Sequence, residues 1–331
     1  MISVSIVIPI YKVEEYILDC LKSVANQTYS GPVECICVDD CTPDNSACLV
    51  EQFIRDYSGS IRFVLLRHER NRGVSAARNT GIDSSTGDYI LFLDGDDELT
   101  DDCIEKLASP LEKHAYSFVV SDFDIIPDGS KKIYEQKLDD GKVFWGEEVI
   151  DSFSRGLWFQ MPTNRLLNLG WIRKNELRFK EGLYAEDNLW CFETAAVAES
   201  MAMVSSPTYR HYIREGSLSN SQNSGNKLRE AYIQIIDYMR DFIKEHELTN
   251  NFNVYNHYQV FSRVSIVKVY ENGGDDRAKT LYENWRSSGL YSKLRILRFA
   301  SKSLRSFVRD LHYFLPCKLG FKYMVKTEKL K

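Results

Sequence analysis

The sequence predicts an α/β fold, a mostly parallel sheet covered on both faces by helices, followed by a smaller helical region. Three observations predict it. Through residues 1–120, apolar runs of strand length alternate with segments of helical spacing, and such alternation needs crossover connections and hence parallel strands. The runs are apolar throughout, as strands covered on both faces are. Polar clusters stand just where the runs end: Tyr11, Asp39-Asp40 and Asp94 to Asp97. In open α/β sheets that edge is where ligands bind.

Residues 3–10 (SVSIVIPI) make the first strand, punctuated by Pro9 and Tyr11. Residues 13–28 follow as a helix, with Ile17, Leu21, Val24 and Ala25 at helical spacing. Residues 33–38 form a second strand that ends in Asp39-Asp40, residues 46–57 a helix, and residues 61–66 a third strand. Residues 73–85 form a helix closed by Gly87, 89–93 a fourth strand, 101–114 a helix and 118–122 a fifth strand. The sequence contains no GxGxxG, which argues against a dinucleotide fold, and no GxxxxGK[ST], which excludes a P-loop enzyme.

The fourth strand breaks into Asp94, Gly95, Asp96 and Asp97. Carboxylates packed this tightly repel one another, and a divalent cation offsets the repulsion. Hard oxygen ligands suit Mg²⁺ or Mn²⁺, which are commonly held by one or two carboxylates plus substrate phosphates. Gly95 is expected to let the backbone turn between two ligands. A solvated acidic turn before the next helix is the competing reading.

The net charge of −5 argues against a general nucleic-acid binder. It hides an asymmetry: residues 286–331 carry twelve Lys/Arg against two acids, which leaves the rest of the chain at −15. Eight cysteines occur without a CxxC pair. Cys35, Cys37, Cys41 and Cys48 fit no usual zinc spacing, and reduced, buried thiols are the simpler account, pointing to a cytoplasmic setting. No apolar run reaches the length of a membrane span, and Met1 leads straight into a strand, so no signal peptide is expected.

Four segments together resemble the family 2 glycosyltransferases with a GT-A fold. They are VSIVIPIY (4–11), VDDCTPDNS (38–46), NRGVSAARNTGIDSSTGDYILFLDGDDEL (71–99) and AEDNLW (185–190). The resemblance covers about residues 3–220. It implies metal-assisted transfer of a hexosyl or N-acetylhexosaminyl group from a nucleotide-sugar, UDP-linked, to an acceptor hydroxyl with inversion. The implied setting is bacterial capsule, O-antigen or other surface-polysaccharide assembly, with a glycan or lipid-linked glycan acceptor. On the same basis Asp40 accepts the uracil N3–H, while Asp39 holds the base or orders the loop. Tyr11 stacks on the base and Pro9 lines it through its carbonyl. Asn71 and Arg78 lie toward the diphosphate, although Arg78 could instead bind an acidic loop. Asp94 and Gly95 approach the ribose and metal, Asp96 ligates the metal, and Asp97 supports the turn. Asp187, beside Glu186, is the implied general base. His211 is a candidate third metal ligand, with Arg210, Arg214 and Ser217 as alternative phosphate contacts. A sugar nucleotidyltransferase or a non-catalytic sugar-nucleotide-binding module are the alternatives; the first expects a Gly-rich basic loop where Tyr11-Lys12-Val13 stands.

The expected organisation is a catalytic domain over 1–220, split into a nucleotide-sugar half (1–120) and an acceptor and base half (121–220). A helical region over 221–331 follows. Pro127-Asp128-Gly129, with Asp124 and Lys131-Lys132 beside it, suggests a hairpin or loop excursion, and residues 220–226 a polar linker. Trp158, Phe159, Trp171 and Trp190 are candidates for a sugar-stacking platform or for core. Residues 227–247 and 253–270 show helical periodicity, with Ile233, Ile236 and Met239 on one face. Residues 290–314 interleave Leu, Ile, Phe and Val with Lys and Arg, the pattern of a basic amphipathic segment on an anionic inner-membrane surface. The same pattern fits a terminal helix packed on its own domain, and Pro316 is expected to end it.

Overall fold

The protein is described by a computed structural model, over residues 1–127, 138–213, 224–272 and 274–328. The chain divides into two compact units, Met1–Ser221 and Gln222–Lys331. Among the described residues of the first unit, nine strands form one sheet. Its order is β3-β2-β1-β4-β8-β6-β9-β5, with β7 also on β9. β1 (Val4–Ile10), β2 (Val33–Asp39), β3 (Arg62–Arg67) and β4 (Tyr89–Phe92) are parallel. β2 and β4 are buried from end to end, which is why their sequences run apolar without alternation.

Beyond β4 the sheet is mixed. β8 (Arg165–Asn168) runs antiparallel between β4 and β6 (Phe118–Ile126), and β6 pairs in parallel with the long β9 (Ser200–Tyr212). β5 (Glu98–Leu99) and β7 (Val143–Trp145) are short antiparallel additions to β9. The fifth expected strand thus runs four residues past Asp122, to Ile126.

The helices differ from expectation where local chemistry intervenes. α1 starts at Ile17, later than expected (Ile17–Ala25). Lys12 takes a left-handed φ of 56°, and the N–H groups of Lys12, Val13 and Glu14 donate to Thr42, Ser46 and Asp44. That tether holds the chain out of helix. α2 (Ser46–Asp56) and α3 (Val74–Ser84) match expectation. α3 lies so close on β1 that a Cβ at Gly81 would sit 2.2 Å from Val7 Cγ1. α4 (Cys103–Ala108) stops early and continues as a 3₁₀ turn, Ser109–Glu112, because Pro110 has no N–H for the next α-helical bond.

α5 (Glu147–Ser154), α6 (Leu169–Lys174) and α7 (Glu186–Val197) complete the first unit. Trp158, Trp171 and Trp190 are buried, so the core takes them and none is available as a sugar platform; Phe159, partly buried, packs against the core cluster that holds Phe123 and Leu166. The turn at Asp128-Gly129, Lys131-Lys132, Arg214 and Ser217 lie outside the described residues. All eight cysteines are free thiols.

The second unit holds α8 (Ser224–Glu245), α9 (Phe252–Glu271), α10 (Asp275–Ser287), α11 (Lys293–Ala300), α12 (Leu304–Asp310) and α13 (Cys317–Glu328). Ile236 and Met239 are buried, and α8 begins inside the expected linker. The basic stretch is not one helix. Ser301 closes α11, and Ser303 caps α12 by accepting the Ser306 N–H. The stretch closes in a 3₁₀ turn, Leu311–Phe314, with Leu315 extended directly before Pro316, as expected; α13 then starts right after the proline, whose missing N–H costs nothing there. Among the described residues no helix is long and apolar enough to cross a membrane.

Candidate active site

The carboxyl ends of three parallel strands and the start of one helix build the site. β2 and β4 lie on opposite sides of β1, so successive connections leave in opposite directions there and open a crevice. Tyr11 follows β1, Asp39 and Asp40 stand at the end of β2, and Asp94 follows β4.

Arg78, buried in α3, bridges two acidic motifs. Its Nη2 donates to Asp94 Oδ1 at 2.7 Å, and its Nη1 to Glu186 Oε1 at 2.9 Å, 108 residues away in sequence. The guanidinium lies 5.1 Å from the centre of the Phe179 ring, which stacks on Trp190 at 4.1 Å. Burial alone would lower the arginine's pKa, but Asp94 and then Glu186 more than offset it, so it is held above its ordinary value. Of the two roles the sequence left open for Arg78, the contact with an acidic loop is the one these bonds display.

The clamp also sets Asp187 close to Arg78. Asp187 stands in the first turn of α7, next to Glu186, directly after Ala185 in a left-handed conformation (φ 57°). Helix N-termini favour acids, so position and charge agree. Asp187 is half-buried, and its Oδ1 accepts from the backbone N–H and Nδ2 of Asn188, at 2.9 and 3.0 Å. Burial, then the neighbouring Glu186 charge, pushes its pKa up to about 6 against the pull of the Asn188 N–H and Arg78. A carboxylate near 6 is well matched to taking a proton at neutral pH.

Asp97 supports the turn, as the sequence suggests. Buried, it accepts from the Tyr209 hydroxyl (2.7 Å), His211 Nδ1 (3.0 Å) and the Tyr212 N–H (2.9 Å). These bonds fasten the acidic turn to the end of β9. They also commit Nδ1 of His211 to Asp97, leaving Nε2 of a side chain that is 43% exposed to face a ligand. The Asp97 hydrogen bond raises the His211 pKa, burial opposes, and Asp97, Asp94 and Asp96 add to the rise through their charges. An imidazole oriented by a carboxylate, beside two more carboxylates, is a donor set suited to a divalent cation. Among the described residues no three such side chains form a ready metal cage. Mg²⁺ or Mn²⁺ held partly by substrate phosphates needs none.

Gly95 answers a different constraint from the one expected. Its φ is not left-handed; instead a Cβ there would lie 3.0 Å from the Pro9 carbonyl and 3.2 Å from Val13 Cγ2. Close approach to β1, where Pro9 sits half-buried, is what demands glycine. Tyr11 is 43% exposed, so it is no core aromatic and its ring is open to stacking.

Asp40 is buried, and its oxygens already accept from His68 Nδ1 (2.7 Å), the Arg72 N–H (2.8 Å) and the Gly73 N–H (2.7 Å). The exposed Asn71 adds a bond from Nδ2 to the Asp40 carbonyl at 3.2 Å. Through these bonds Asp40 orders the loop before α3. Asp39, also largely buried, accepts the Thr42 N–H at 2.8 Å and lies 3.7 Å from Arg67. Asp40→Ala would leave three donors without their acceptor and should cost about 3 kcal/mol or more in chemical denaturation. A loss under roughly 1 kcal/mol would show that the loop orders itself. Arg210, 40% exposed, pairs with Glu98 at 3.5 Å.

Three residues have parts that the sequence reading did not assign. His68, at the end of β3, links Asp40 to Thr80, its Nε2 lying 2.9 Å from the hydroxyl. Asn79 holds both backbone groups of Phe179, each at 2.9 Å. Tyr209 reaches Asp97. Only the last had a legible signal: Tyr209 and His211 are two apart on a strand and so share a face.

The description "Glycosyl transferase family 2" matches residues 5–175. Glycosyltransferase GlyA of Streptococcus pneumoniae is 28% identical over 65% of this chain and 31% of its own length. The uncharacterized glycosyltransferase EpsJ of Bacillus subtilis is 29% identical over 65% of this chain and 62% of its own. The chain thus spans less than two thirds of either relative. A crystal structure of S. aureus TarS 1-349 in complex with UDP-GlcNAc superposes with a TM-score of 0.63 at 18% identity. It covers 86% of this chain and 92% of that one, which establishes a shared fold.

Proposed function

The chain belongs to glycosyl transferase family 2, and from that premise we propose that it transfers a sugar from a UDP-linked donor to an acceptor hydroxyl with inversion. The observation that carries the reading is the convergence, through Arg78, of Asp94 after β4 with the Glu186-Asp187 pair on one crevice. In this reading Tyr11 stacks on the base, and Asp39 and the Pro9 carbonyl line it. Asp94 and Asp96, with Nε2 of His211, would hold Mg²⁺ or Mn²⁺. When bound there, the cation neutralises charge on the departing diphosphate.

Asp187 takes the acceptor hydroxyl's proton as that oxygen forms its bond to the anomeric carbon, and the bond from that carbon to the diphosphate oxygen breaks. The electron pair leaves with UDP, so no separate general acid is required. Glu186, paired with Arg78, supplies a negative charge beside Asp187 rather than a second base. The TarS complex, whose ligand is UDP-GlcNAc, supports a hexosyl or N-acetylhexosaminyl donor on the same fold. Assembly of a bacterial surface polysaccharide, on a glycan or lipid-linked glycan acceptor, is the setting we propose.

The test is a screen of nucleotide-sugars for slow hydrolysis and for binding, with Mn²⁺, Mg²⁺ or chelator. UDP-sugars should be hydrolysed, and chelation should abolish the reaction. Folded protein that neither binds nor hydrolyses any nucleotide-sugar would overturn the reading.

A further inference from the structure

In α12 the usual polarity of a surface helix is reversed. Ser306, Arg309 and Asp310 face inward: Arg309 Nε donates to Asp310 at 2.6 Å, and Asp310 accepts the Tyr255 hydroxyl at 2.8 Å. Leu304, Phe307 and Val308, on one face by their spacing, stand outward, and Leu304 is 79% exposed. α11, which packs against α12, buries Ile296 and Phe299 but leaves Leu294 (79% exposed) and Leu297 in solvent, one turn apart. A single exposed leucine is ordinary; five large apolar side chains within residues 294–308 are not.

Charge sets what such a face can meet. Lys293, Arg298 and Arg305 are exposed on the same two helices. Residues 286–331 contain two acids, and both are turned onto internal arginines: Asp310 onto Arg309, and Glu328 onto Arg263 at 3.1 Å. No carboxylate of this segment therefore offsets the cations at its surface. A nucleic acid or an acidic protein would satisfy the cations and strand the leucines. A second copy would cover the leucines and bring like charges together. An anionic phospholipid surface satisfies both, with headgroups for Lys and Arg and the acyl boundary for Leu and Phe.

We propose that α11 and α12 dock the second unit peripherally on an anionic lipid surface. The inference is independent of the donor chemistry, and its readout is lipid binding alone. Point variants are the right probe, because truncation would remove Phe299 and Phe321 from the unit's own core.

The full chain is floated with vesicles of phosphatidylcholine alone and with vesicles that also contain phosphatidylglycerol. It should bind the anionic vesicles at least about tenfold more strongly, and the binding should weaken as salt rises. One variant, Leu294→Ser with Leu304→Ser and Phe307→Ser, and a second, Lys293→Gln with Arg298→Gln and Arg305→Gln, should each lose roughly tenfold or more. All six side chains are exposed, so both variants should keep the parent's circular dichroism. Failure of the parent to float with anionic vesicles, or parental binding by either variant, overturns the proposal. A lipid-free dimer in sedimentation velocity that the apolar variant dissolves would give the face to a second copy and overturn it equally.

Discussion

Asp187→Asn should lower turnover by about a thousandfold, since a positioned general base contributes on the order of 10²–10⁴. UDP-sugar affinity should stay within a few-fold of the parent's, because the amide keeps the shape and both Asn188 contacts involve an oxygen that it retains. The pH profile carries a second signature. With a pKa near 6 in the folded chain, Asp187 is protonated and useless as a base below that value, so activity should rise through about 6 and level off. The residual activity of the Asn variant should lack this limb.

The sign on stability follows from the same shift. A carboxyl whose pKa burial raises favours the folded state at low pH and loses that contribution as pH climbs through about 6. An amide does not ionise, so the variant should melt no lower than the parent at neutral pH. Parental turnover in the variant would remove Asp187 as the base. A turnover loss accompanied by a collapse in melting temperature would instead point to a structural part.

Arg78→Met should be the most damaging single change in the first unit. It leaves Asp94 and Glu186 without the cation between them, and breaking a buried ion pair from one side costs about 3–5 kcal/mol. Arg78→Lys keeps the charge but lacks the planar fork whose separate nitrogens reach Asp94 and Glu186, so it should fold and still lose most activity. The lysine variant also separates positioning from mere folding. Arg78 pulls the Asp187 pKa down, so a displaced cation should move the acid limb of the pH profile upward. An Arg78→Lys enzyme with the parent's turnover and pH limb would show that the clamp has no part in holding the site.

The two experiments probe different kinds of information. The parallel strands β1 to β4 were legible because strands covered on both faces must be apolar at every position, and four such runs appear in order. β9 was not legible. Its Ser205, Ser206 and Pro207 interrupt the pattern, and its register on β6 shifts at Ser121 to Phe123, so pairing rather than periodicity holds it. The basic stretch after residue 290 read as one amphipathic segment. Two serines that bond to backbone N–H groups within a turn made it two helices, and only packing decided which apolar residues went inward.

At the site, the sequence by itself determined where the acids stand: just past strand ends, and as a pair opening a helix. Those positions follow from chain geometry, which any sequence with this alternation obeys. Only the tertiary structure decided what each acid is bonded to. Asp40 went to the loop before α3, Asp97 to Tyr209 and His211, and Asp94 to Arg78, leaving Asp187 as the carboxylate with a raised pKa. The reason is that a carboxylate's role is set by its nearest donors and by how much water it keeps, and here those donors come from residues far away in the chain.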